Sequence, residues 1–207
     1  NLSTAAIRFP NNLIIRELLK KIPFPLAIPS ANKSTRVSSV SADNVAEEFK
    51  KELKIIIDGG NSKIGIESTV IDLSGKIKIL RPGIISPQEI GKVLKKKIPL
   101  IKKHNNIIAP GALKLHYSPG IPIKMNSKNC PNQYAFIIFG DKFKKKKNTY
   151  NLIKNSNLRE AAKNLYKIFR KIKKLKYKKI YIVKVPNKGI GIALNDRIER
   201  ASRYKWK

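Results

Sequence analysis

Residues 28–38 of this 207-residue chain read Ile-Pro-Ser-Ala-Asn-Lys-Ser-Thr-Arg-Val-Ser, and this stretch decides how the fold is interpreted. It lies between a predicted strand at residues 25–28 and a predicted helix at residues 44–53. Pro29 restricts the residue before it to extended geometry. The serine and asparagine side chains favour local hydrogen bonds over helix, which leaves backbone N–H groups free to point at an anion. The stretch predicts either a phosphate-binding turn or an ordinary polar turn.

Strands and helices are predicted on both sides of this turn. The other elements of the first half are a helix capped by Asn12 and ended by Pro23, a strand at 54–57, a hairpin of 68–73 and 76–80, and a helix from Ser86 to Lys97. The sequence Ser86-Pro87-Gln88-Glu89 supplies an N-cap, a proline in the first turn and a capping-box glutamate. We place the end of a first domain at residue 98.

The second half contains a connection and a smaller α/β unit. Residues 98–132 hold five prolines and show little periodicity, so we predict a long extended connection. It is followed by a strand at 134–139, a long amphipathic helix from Asn157, a strand at 179–185 and a helix at 195–202. A strand, a helix and a strand in that order predict a parallel, Rossmann-like sheet.

The net charge points to an anionic partner. The chain has 45 Lys and Arg against 13 Asp and Glu, which gives a formal charge of +32. Such a charge attracts nucleic acid or nucleotides. Two explanations stay open, namely codon bias in an AT-rich genome and a selected RNA-binding surface. We expect the lysine run at 142–147 to be a solvated loop.

The reactive side chains restrict the chemistry. The single Cys130 excludes a disulfide framework and a cysteine zinc site, and no apolar run is long enough to span a membrane, so we expect a cytoplasmic protein. The two histidines, His104 and His116, form no nucleophile–histidine–acid arrangement, and no cluster has metal-ligand spacing. Hydroxyls and arginines remain, and they suit charge stabilisation in phosphoryl transfer.

Five further segments agree with the polar turn. In chain order they are TAAIRFP at 4–10, GIESTVID at 65–72, ILRPG at 79–83, APGALKLHYSP at 109–119 and PNKGIG at 186–191. Together with residues 28–38 they resemble the long form of the YrdC-like family, the threonylcarbamoyl-AMP synthases. The resemblance runs from about residue 3 to about residue 201.

The resemblance implies an α/β fold in three parts. These are a partial YrdC-like twisted-sheet domain at 1–98, a linker or lid at 99–132, and a small Rossmann-like domain at 133–207. It also implies a nucleotidyltransferase that uses ATP and Mg²⁺. That enzyme makes L-threonylcarbamoyladenylate and pyrophosphate from L-threonine, bicarbonate and ATP, and a downstream transferase uses the product to modify adenosine in tRNA.

The resemblance further implies roles for particular residues. The L-threonine contacts are Arg8, Ile28 and Ser68, and the ATP contacts are Thr4, Ser30, Ser38, Arg81 and His116. Asn32 would orient phosphate or a magnesium-bound water. From the residues alone, Arg8 is either an exposed strand residue or a ligand clamp, and His116 is either a loop imidazole or a nucleotide contact. We expect residues 109–122 to form a lid over the nucleotide.

The chain also departs from the family pattern. Family members carry a Lys/Arg-rich half-domain before the position of Asn1, so we expect the chain as given to be inactive or impaired. Thr35 replaces a glycine, and Ser39-Val40 replaces Pro-Thr. Threonine disfavours the positive φ that glycine tolerates, which puts the turn geometry in question.

Two rival functions follow from other features. The high charge is compatible with a double-stranded RNA-binding module without catalysis, for which binding that collapses with salt would indicate mere polyelectrolyte attraction. The carbamoyl-transfer domain of hydrogenase maturation is the second rival. That architecture brings cysteine-rich zinc motifs, and a chain with one cysteine does not fit it.

Overall fold

A computed structural model describes residues 4–101, 113, 115–154 and 157–204. The elements in chain order are α1 (Leu13–Lys21), α2 (Ala42–Phe49), a 3₁₀ turn (Lys50–Glu52), β1 (Val70–Asp72), β2 (Lys78–Arg81), α3 (Pro87–Val93), β3 (Ile123–Lys124), β4 (Ala135–Ile138), β5 (Thr149–Asn151), α4 (Leu158–Lys174), β6 (Ile180–Ile182) and α5 (Gly191–Ser202). The predicted mixed α/β fold is confirmed.

The carboxyl-terminal part is built on a four-stranded sheet in the order β3-β6-β4-β5. Every pair in it is parallel, which confirms the Rossmann-like prediction. Side chains alternate along each strand. Ala135 and Ile137 face the core shared with α4 and α5, whereas Phe136 and Ile138 belong to a smaller apolar cluster. The sheet therefore has one face covered by helices and a second face with a separate, thinner cover.

Three predicted helix starts are confirmed by their caps. Asn12 accepts a hydrogen bond from the backbone N–H of Ile15 at 3.1 Å. Ser86 and Glu89 form the reciprocal capping box that opens α3. Asn157 accepts from the N–H of Arg159 and opens α4. These caps satisfy backbone donors that a helix start otherwise leaves without partners.

Several predicted boundaries are wrong by a few residues. Helix α2 is capped by Ser41 and starts at Ala42, two residues before the prediction. Helix α3 ends at Val93 rather than Lys97, because Lys95 adopts a φ of 51° that stops the helix. Helix α5 starts four residues before the predicted Asn195.

The strands predicted at 25–28, at 54–57 and around Arg8 are wrong, because none of these segments is a strand in the part of the chain that the structure describes. A strand is defined by hydrogen bonds to a neighbour. In the described amino-terminal part, the named strands are those of the antiparallel hairpin of β1 and β2, which the sequence predicted. The remaining apolar segments are extended but exposed, with Ile7, Phe9 and Ile55 all above 80% exposure.

The connection at 98–132 contains more structure than its prolines suggest. Ile123–Lys124 forms the edge strand β3, paired with β6. The backbone of Ile79 exchanges hydrogen bonds with Pro99 and Ile101, at 2.8 and 2.9 Å, which extends the hairpin by a third segment. Strand β5 was not predicted either. The division into domains at residues 98 and 132 stays a prediction. The boundary at 132 falls between β3 and β4, which belong to the same sheet.

Helix α4 joins the two parts of the chain. Val37, Val40 and Ile66 belong to the same buried apolar cluster as the inner face of α4. Around this contact, Arg170 pairs with Glu48 at 3.0 Å and also donates to the carbonyl of Val37 at 2.8 Å. Because these contacts are buried or half-buried, Val37, Val40 and Ile66 pack as part of the carboxyl-terminal core, whereas the residues around Ile55 stay exposed.

Gly65 provides the closest approach at this junction. Its φ is 86°, and a Cβ added there would lie 2.5 Å from the carbonyl oxygen of Ala162 and 2.5 Å from the Cα of Lys163. Only glycine fits a backbone that has positive φ and contacts a helix this closely.

We predict that Gly65→Ala destabilises the chain by about 3–5 kcal/mol, the sum of backbone strain and overpacking against α4. Gly140→Ala is the matched control, since Gly140 has a φ of 88° and no atom within 4 Å of the added Cβ. The control should cost only about 1–2 kcal/mol of strain. Urea unfolding measures both, and equal losses would contradict the close packing of residue 65 on α4.

Candidate functional site

The polar turn at 28–38 is closed by the side chain of Asn32. Its Nδ2 donates to the carbonyl oxygens of Lys33 and Arg36, at 2.9 and 3.2 Å. Because both amide hydrogens point to carbonyls, the orientation of the amide is fixed. The Oδ1 atom is buried and has no hydrogen-bond partner among the described residues. The turn therefore holds one unused acceptor, which is suited to a water or another donor.

Thr35 keeps the backbone conformation of a glycine. Its φ is 65°, in the left-handed region that β-branched residues disfavour. Its carbonyl oxygen accepts from the N–H of Ser118 at 2.9 Å, and the N–H of Val37 donates to the carbonyl oxygen of Ser118 at 3.1 Å. These two bonds hold the turn in shape, at a strain of about 1–2 kcal/mol for the residue. Thr35 therefore adopts the positive φ that a glycine at this position would tolerate.

The same two bonds fix the His-Tyr-Ser-Pro segment on the turn. Tyr117 and Ser118 are each only 1% exposed, and the backbone of Ser118 forms an isolated parallel β-bridge with that of Arg36. Of the predicted lid, residues 109–112 and 114 lie outside the described residues. The later part, from residue 115 onward, contacts the turn directly. The segment that links the two parts of the chain therefore lies against the predicted nucleotide site.

A half-buried carboxylate lies at the centre of the site. Glu67 accepts hydrogen bonds from Ser38 at 2.5 Å, from Tyr166 at 3.0 and 3.2 Å, and from the Nε of Arg197 at 2.8 Å. Arg197 is 0% exposed and also pairs with Asp196 at 2.6 Å. Tyr166 comes from α4 and Arg197 from α5, so both carboxyl-terminal helices bind one side chain of the GIESTVID motif.

This network controls the ionisation of Glu67. Burial alone would raise its pKa, but the charge of Arg197 and the hydrogen bonds from Ser38 and Arg197 outweigh burial, and the pKa is lowered below the ordinary value of 4.5. Burial and the neighbouring carboxylate raise the pKa of Tyr166 well above 10.0. At neutral pH, Glu67 is therefore an anion that accepts from a neutral tyrosine.

Arg81 and Ser68 form a second contact beside the first. The Nε of Arg81 donates to the carbonyl oxygen of Ser68 at 3.0 Å, and its Nη2 donates to the Ser68 hydroxyl at 3.3 Å. Arg81 is buried at the end of β2, whereas Ser68 is exposed. A guanidinium held on both the backbone and the side chain of one residue fixes the position of that hydroxyl.

His116 is a neutral donor in this site. Burial and the nearby arginines lower its pKa below 6.5, although Glu67 opposes this. Its Nδ1 accepts the backbone N–H of Tyr117 at 2.9 Å, which leaves the proton of the neutral ring on Nε2. The ring contacts that of Tyr117 at a centroid distance of 4.0 Å. His116 can thus donate one hydrogen bond without carrying a charge.

The structure brings together only part of the predicted site. Ser38 donates directly to Glu67. Arg81, which holds Ser68, and His116 lie close enough to interact with the charge of Glu67. The other predicted residues are exposed on the amino-terminal part; they are Thr4, Arg8, Ile28 and Ser30. Their roles toward threonine and ATP stay predictions.

The network of Glu67, Tyr117, Tyr166 and Arg197 was not predicted from the sequence. A signal for Arg197 was present, since Ala193, Leu194, Ile198 and Ala201 mark the buried face of α5 and Arg197 lies at a position of that face. A charge on an apolar helix face requires a partner. The partner is 130 residues away in sequence, and periodicity does not identify it.

Two cavities lie away from the exposed predicted residues. One of about 340 Å³ is lined by Asn132, Lys146, Lys147, Asn148 and Tyr177. The other, of about 20 Å³, lies between the turn and α4 and includes Arg36, Ser118 and Arg170. Neither is lined by the predicted threonine contacts Arg8, Ile28 and Ser68.

Comparison with known families identifies the family of the chain. Residues 1–83 match the Sua5, YciO and YrdC family model, described as telomere recombination, and residues 85–203 match the model described as threonylcarbamoyl-AMP synthase, C-terminal domain. The chain belongs to the threonylcarbamoyl-AMP synthase family. The resemblance inferred from six motifs is confirmed.

Individual relatives agree with the family. The chain is 33% identical to the threonylcarbamoyl-AMP synthase of Pyrococcus abyssi over 99% of its own length, and 28% identical to that of Bacillus subtilis over 97%. It spans 65% and 64% of the length of these two relatives. A crystal structure of P. abyssi Sua5 complexed with L-threonine is similar, with a TM-score of 0.85 and 31% identity over 98% of this chain and 65% of that one.

Two classes of feature are missing from the part of the chain that the structure describes. No group of three or more histidine, cysteine or carboxylate side chains there is arranged to hold a metal ion. No helix among the described residues is long and apolar enough to cross a bilayer.

The lowered pKa of Glu67 makes a testable prediction about stability and pH. A carboxyl whose pKa is lower in the folded chain contributes stability above its unfolded pKa, near 4.5, and loses it as the pH falls through the folded value. Glu67→Gln leaves the buried Arg197 with Asp196 as its remaining carboxylate partner, so we predict a loss of about 3 kcal/mol at pH 7. The difference from the wild type should shrink as the pH falls below the folded-state pKa.

Glu17→Gln provides the control for this experiment, because Glu17 pairs with Lys20 on the exposed face of α1. Removing that ion pair should cost less than about 1 kcal/mol at any pH. Chemical unfolding of both variants between acidic and neutral pH measures the effect. A Glu67→Gln difference that does not vary with pH would contradict the ionised pair.

Proposed function

We propose that this chain contributes to an enzyme that forms L-threonylcarbamoyladenylate and pyrophosphate from L-threonine, bicarbonate and ATP. The observation that carries the proposal is the pair of backbone hydrogen bonds that hold the His-Tyr-Ser-Pro segment against the polar turn. In a family whose relatives bear the name of this synthase, that contact joins two of the segments for which nucleotide contacts were predicted.

The nucleotide side of the site would use neutral and cationic donors. His116 offers one hydrogen-bond donor, and Arg81 brings a positive charge beside it. The Ser38 hydroxyl donates its proton to Glu67, so its oxygen is left to accept from a nucleotide hydroxyl, an amino group or a water. Glu67 is an anion and would repel phosphate directly, but its charge is matched by Arg197. The pair therefore supports Ser38 without adding net negative charge next to the phosphates.

The proposed reaction needs positioning more than covalent catalysis. The amine of threonine and bicarbonate form a carbamate with loss of water. A carbamate oxygen attacks the α-phosphorus of ATP, the bond to the bridging oxygen of the β-phosphate breaks, and pyrophosphate leaves. Charge develops on phosphate oxygens, and preorganised donors such as the guanidinium of Arg81 stabilise it.

The proposal includes Mg²⁺ bound with ATP. The described residues contain no carboxylate cluster for a resident ion, but the unpartnered Oδ1 of Asn32 is an acceptor and fits a water of a hydrated magnesium. It does not fit a phosphate oxygen, which is also an acceptor. When bound, the ion would neutralise phosphate charge. Of the two roles predicted for Asn32, the geometry favours the water contact.

The proposed threonine contacts are Arg8, Ile28 and Ser68. The Arg8 guanidinium is exposed and would offer a carboxylate two parallel donors. The Ser68 hydroxyl is held by Arg81 at 3.3 Å, and its side chain faces solvent. Thr4 and Ser30 complete the proposed nucleotide contacts. Modification of tRNA through a downstream transferase and a cytoplasmic location stay predictions.

We predict that Arg8→Ala weakens L-threonine binding by about one to two orders of magnitude and leaves ATP binding nearly unchanged. The reason is that a charge-assisted bidentate hydrogen bond is worth about 1.5–3 kcal/mol. Calorimetric titration with each ligand separates the two effects, on this chain and on any longer form that its gene encodes.

Arg16→Ala, on the exposed face of α1, is the matched control and should change neither affinity. Equal losses of threonine and ATP affinity in Arg8→Ala would mean that Arg8 is structural. The proposed function itself is tested separately, by pyrophosphate release that requires both threonine and bicarbonate in the longest form of the protein.

A further inference from the structure

The second face of the carboxyl-terminal sheet is covered by loops rather than by helices. Phe136, Ile138 and Val183 form its small buried cluster, against which Cys130 and Phe143 pack from the loops on either side of β4. At the end of this face, Tyr181 and Tyr134 remain partly exposed. The sheet thus presents aromatic side chains to solvent on the side opposite α4 and α5.

The two tyrosines and two lysines form an ordered group. The rings of Tyr134 and Tyr181 are stacked, with centroids 5.8 Å apart and planes inclined by 19°. The Nζ atoms of Lys124 and Lys179 lie 5.6 and 5.5 Å from the centroid of the Tyr181 ring. We call these four residues the tyrosine–lysine face. The two lysines place positive charges, held by cation–π attraction, next to aromatic rings on which a base can stack.

The larger cavity is linked to this face through Asn148. Tyr134 accepts, through its carbonyl oxygen, a hydrogen bond of 2.7 Å from the Nδ2 of Asn148, which lines the cavity. Across the cavity wall, the Nζ of Lys146 donates to the Oδ1 of Asn132 at 3.1 Å. The volume of about 340 Å³ is adequate for one nucleobase or sugar, and its lining offers amides and ammonium groups.

The charge of the surrounding sequence is almost entirely positive. Residues 121–154 contain eight lysines and a single acidic residue, Asp141. Residues 176–188 contain five lysines and no acidic residue. A surface of this charge attracts a polyanion, and lysines interleaved with exposed aromatic rings are what unpaired nucleotides bind.

We propose that the tyrosine–lysine face and the adjoining cavity bind single-stranded nucleic acid. The lysines contact phosphates, and an unpaired base stacks on the tyrosine pair. A duplex fits less well, because its bases are already stacked on one another and do not present a free ring face. Among the hydrogen bonds, ion pairs and ring contacts of the described residues, none joins these side chains to Glu67 or the polar turn, so binding here is independent of the synthase activity.

The test is fluorescence anisotropy of this chain with labelled oligouridine of about 12 nucleotides, with oligodeoxythymidine of the same length as the second arm. Tyr181→Leu, which keeps an apolar side chain but cannot stack, should weaken binding about tenfold. Tyr181→Phe should retain it. Thermal unfolding of each variant establishes that the fold is kept. An affinity for oligouridine well above that for oligodeoxythymidine identifies RNA as the preferred nucleic acid.

The contribution of the lysine charges is tested by a variant that combines Lys124→Gln with Lys179→Gln. The slope of log K against log salt should become shallower by about 0.7 for each lost phosphate contact. Lys96→Gln with Lys97→Gln removes the same charge from an exposed segment after α3 and should leave the slope unchanged. Equal effects of the two pairs, together with normal binding by Tyr181→Leu, would overturn the proposal in favour of nonspecific attraction.

Two competitors complete the experiment. Double-stranded RNA of the same length and vesicles of phosphatidylglycerol and phosphatidylcholine should displace the labelled strand only weakly. Displacement by the duplex as strong as that by the unlabelled single strand would overturn the role of base stacking. Displacement by vesicles that depends on Tyr181 would assign the face to a membrane surface instead.

Discussion

The ion pair between the half-buried Glu67 and the fully buried Arg197 is the interaction on which the rest of the structure depends. A guanidinium that is 0% exposed is costly unless its charge is matched, and removal of one partner of such a pair costs about 3–5 kcal/mol. Asp196 and Glu67 supply the match, and the guanidinium carbon of Arg197 lies 4.9 Å from the centroid of the Tyr117 ring. Arg197 therefore connects three segments, namely the α5 helix, the GIESTVID motif and the His-Tyr-Ser-Pro segment.

This pair explains why residues of the proposed site are ordered by the opposite half of the chain. Ser38 is fixed by Glu67, and Glu67 is fixed by α4 and α5. Gly65 lets the motif backbone approach α4 closely enough for these bonds to form. Burial of Val37, Val40 and Ile66 in the shared core adds the apolar part of the same contact. The carboxyl-terminal sheet thus acts as a support for the turn as well as a domain of its own.

Local signals in the sequence were sufficient for the helices and for the class of fold. The caps at Asn12, Ser86 and Asn157 are short-range hydrogen bonds, and the apolar stripe of α4 is repeated over four turns. The parallel sheet followed from the order of its elements. These features depend on residues close in sequence, and the structure confirms them.

Features that depend on distant partners were not predictable in the same way. The segments at 25–28 and 54–57 have strand-like composition, but a strand requires a neighbour, and composition does not supply one. Strand β3 has two residues and exists because β6 lies beside it. For the site, the turn and motifs were visible in the sequence, whereas the network around Glu67 needed Arg197, which is 130 residues away. The threonine and ATP roles came from resemblance.

Glu67 and Arg197 act as one unit, and a double-mutant cycle tests this coupling. Glu67→Gln, Arg197→Met and the double variant are compared with the wild type by urea unfolding at neutral pH. The account predicts an interaction energy of at least about 2 kcal/mol, with the double variant less destabilised than the sum of the single ones. Effects that add to within about 0.5 kcal/mol would contradict it.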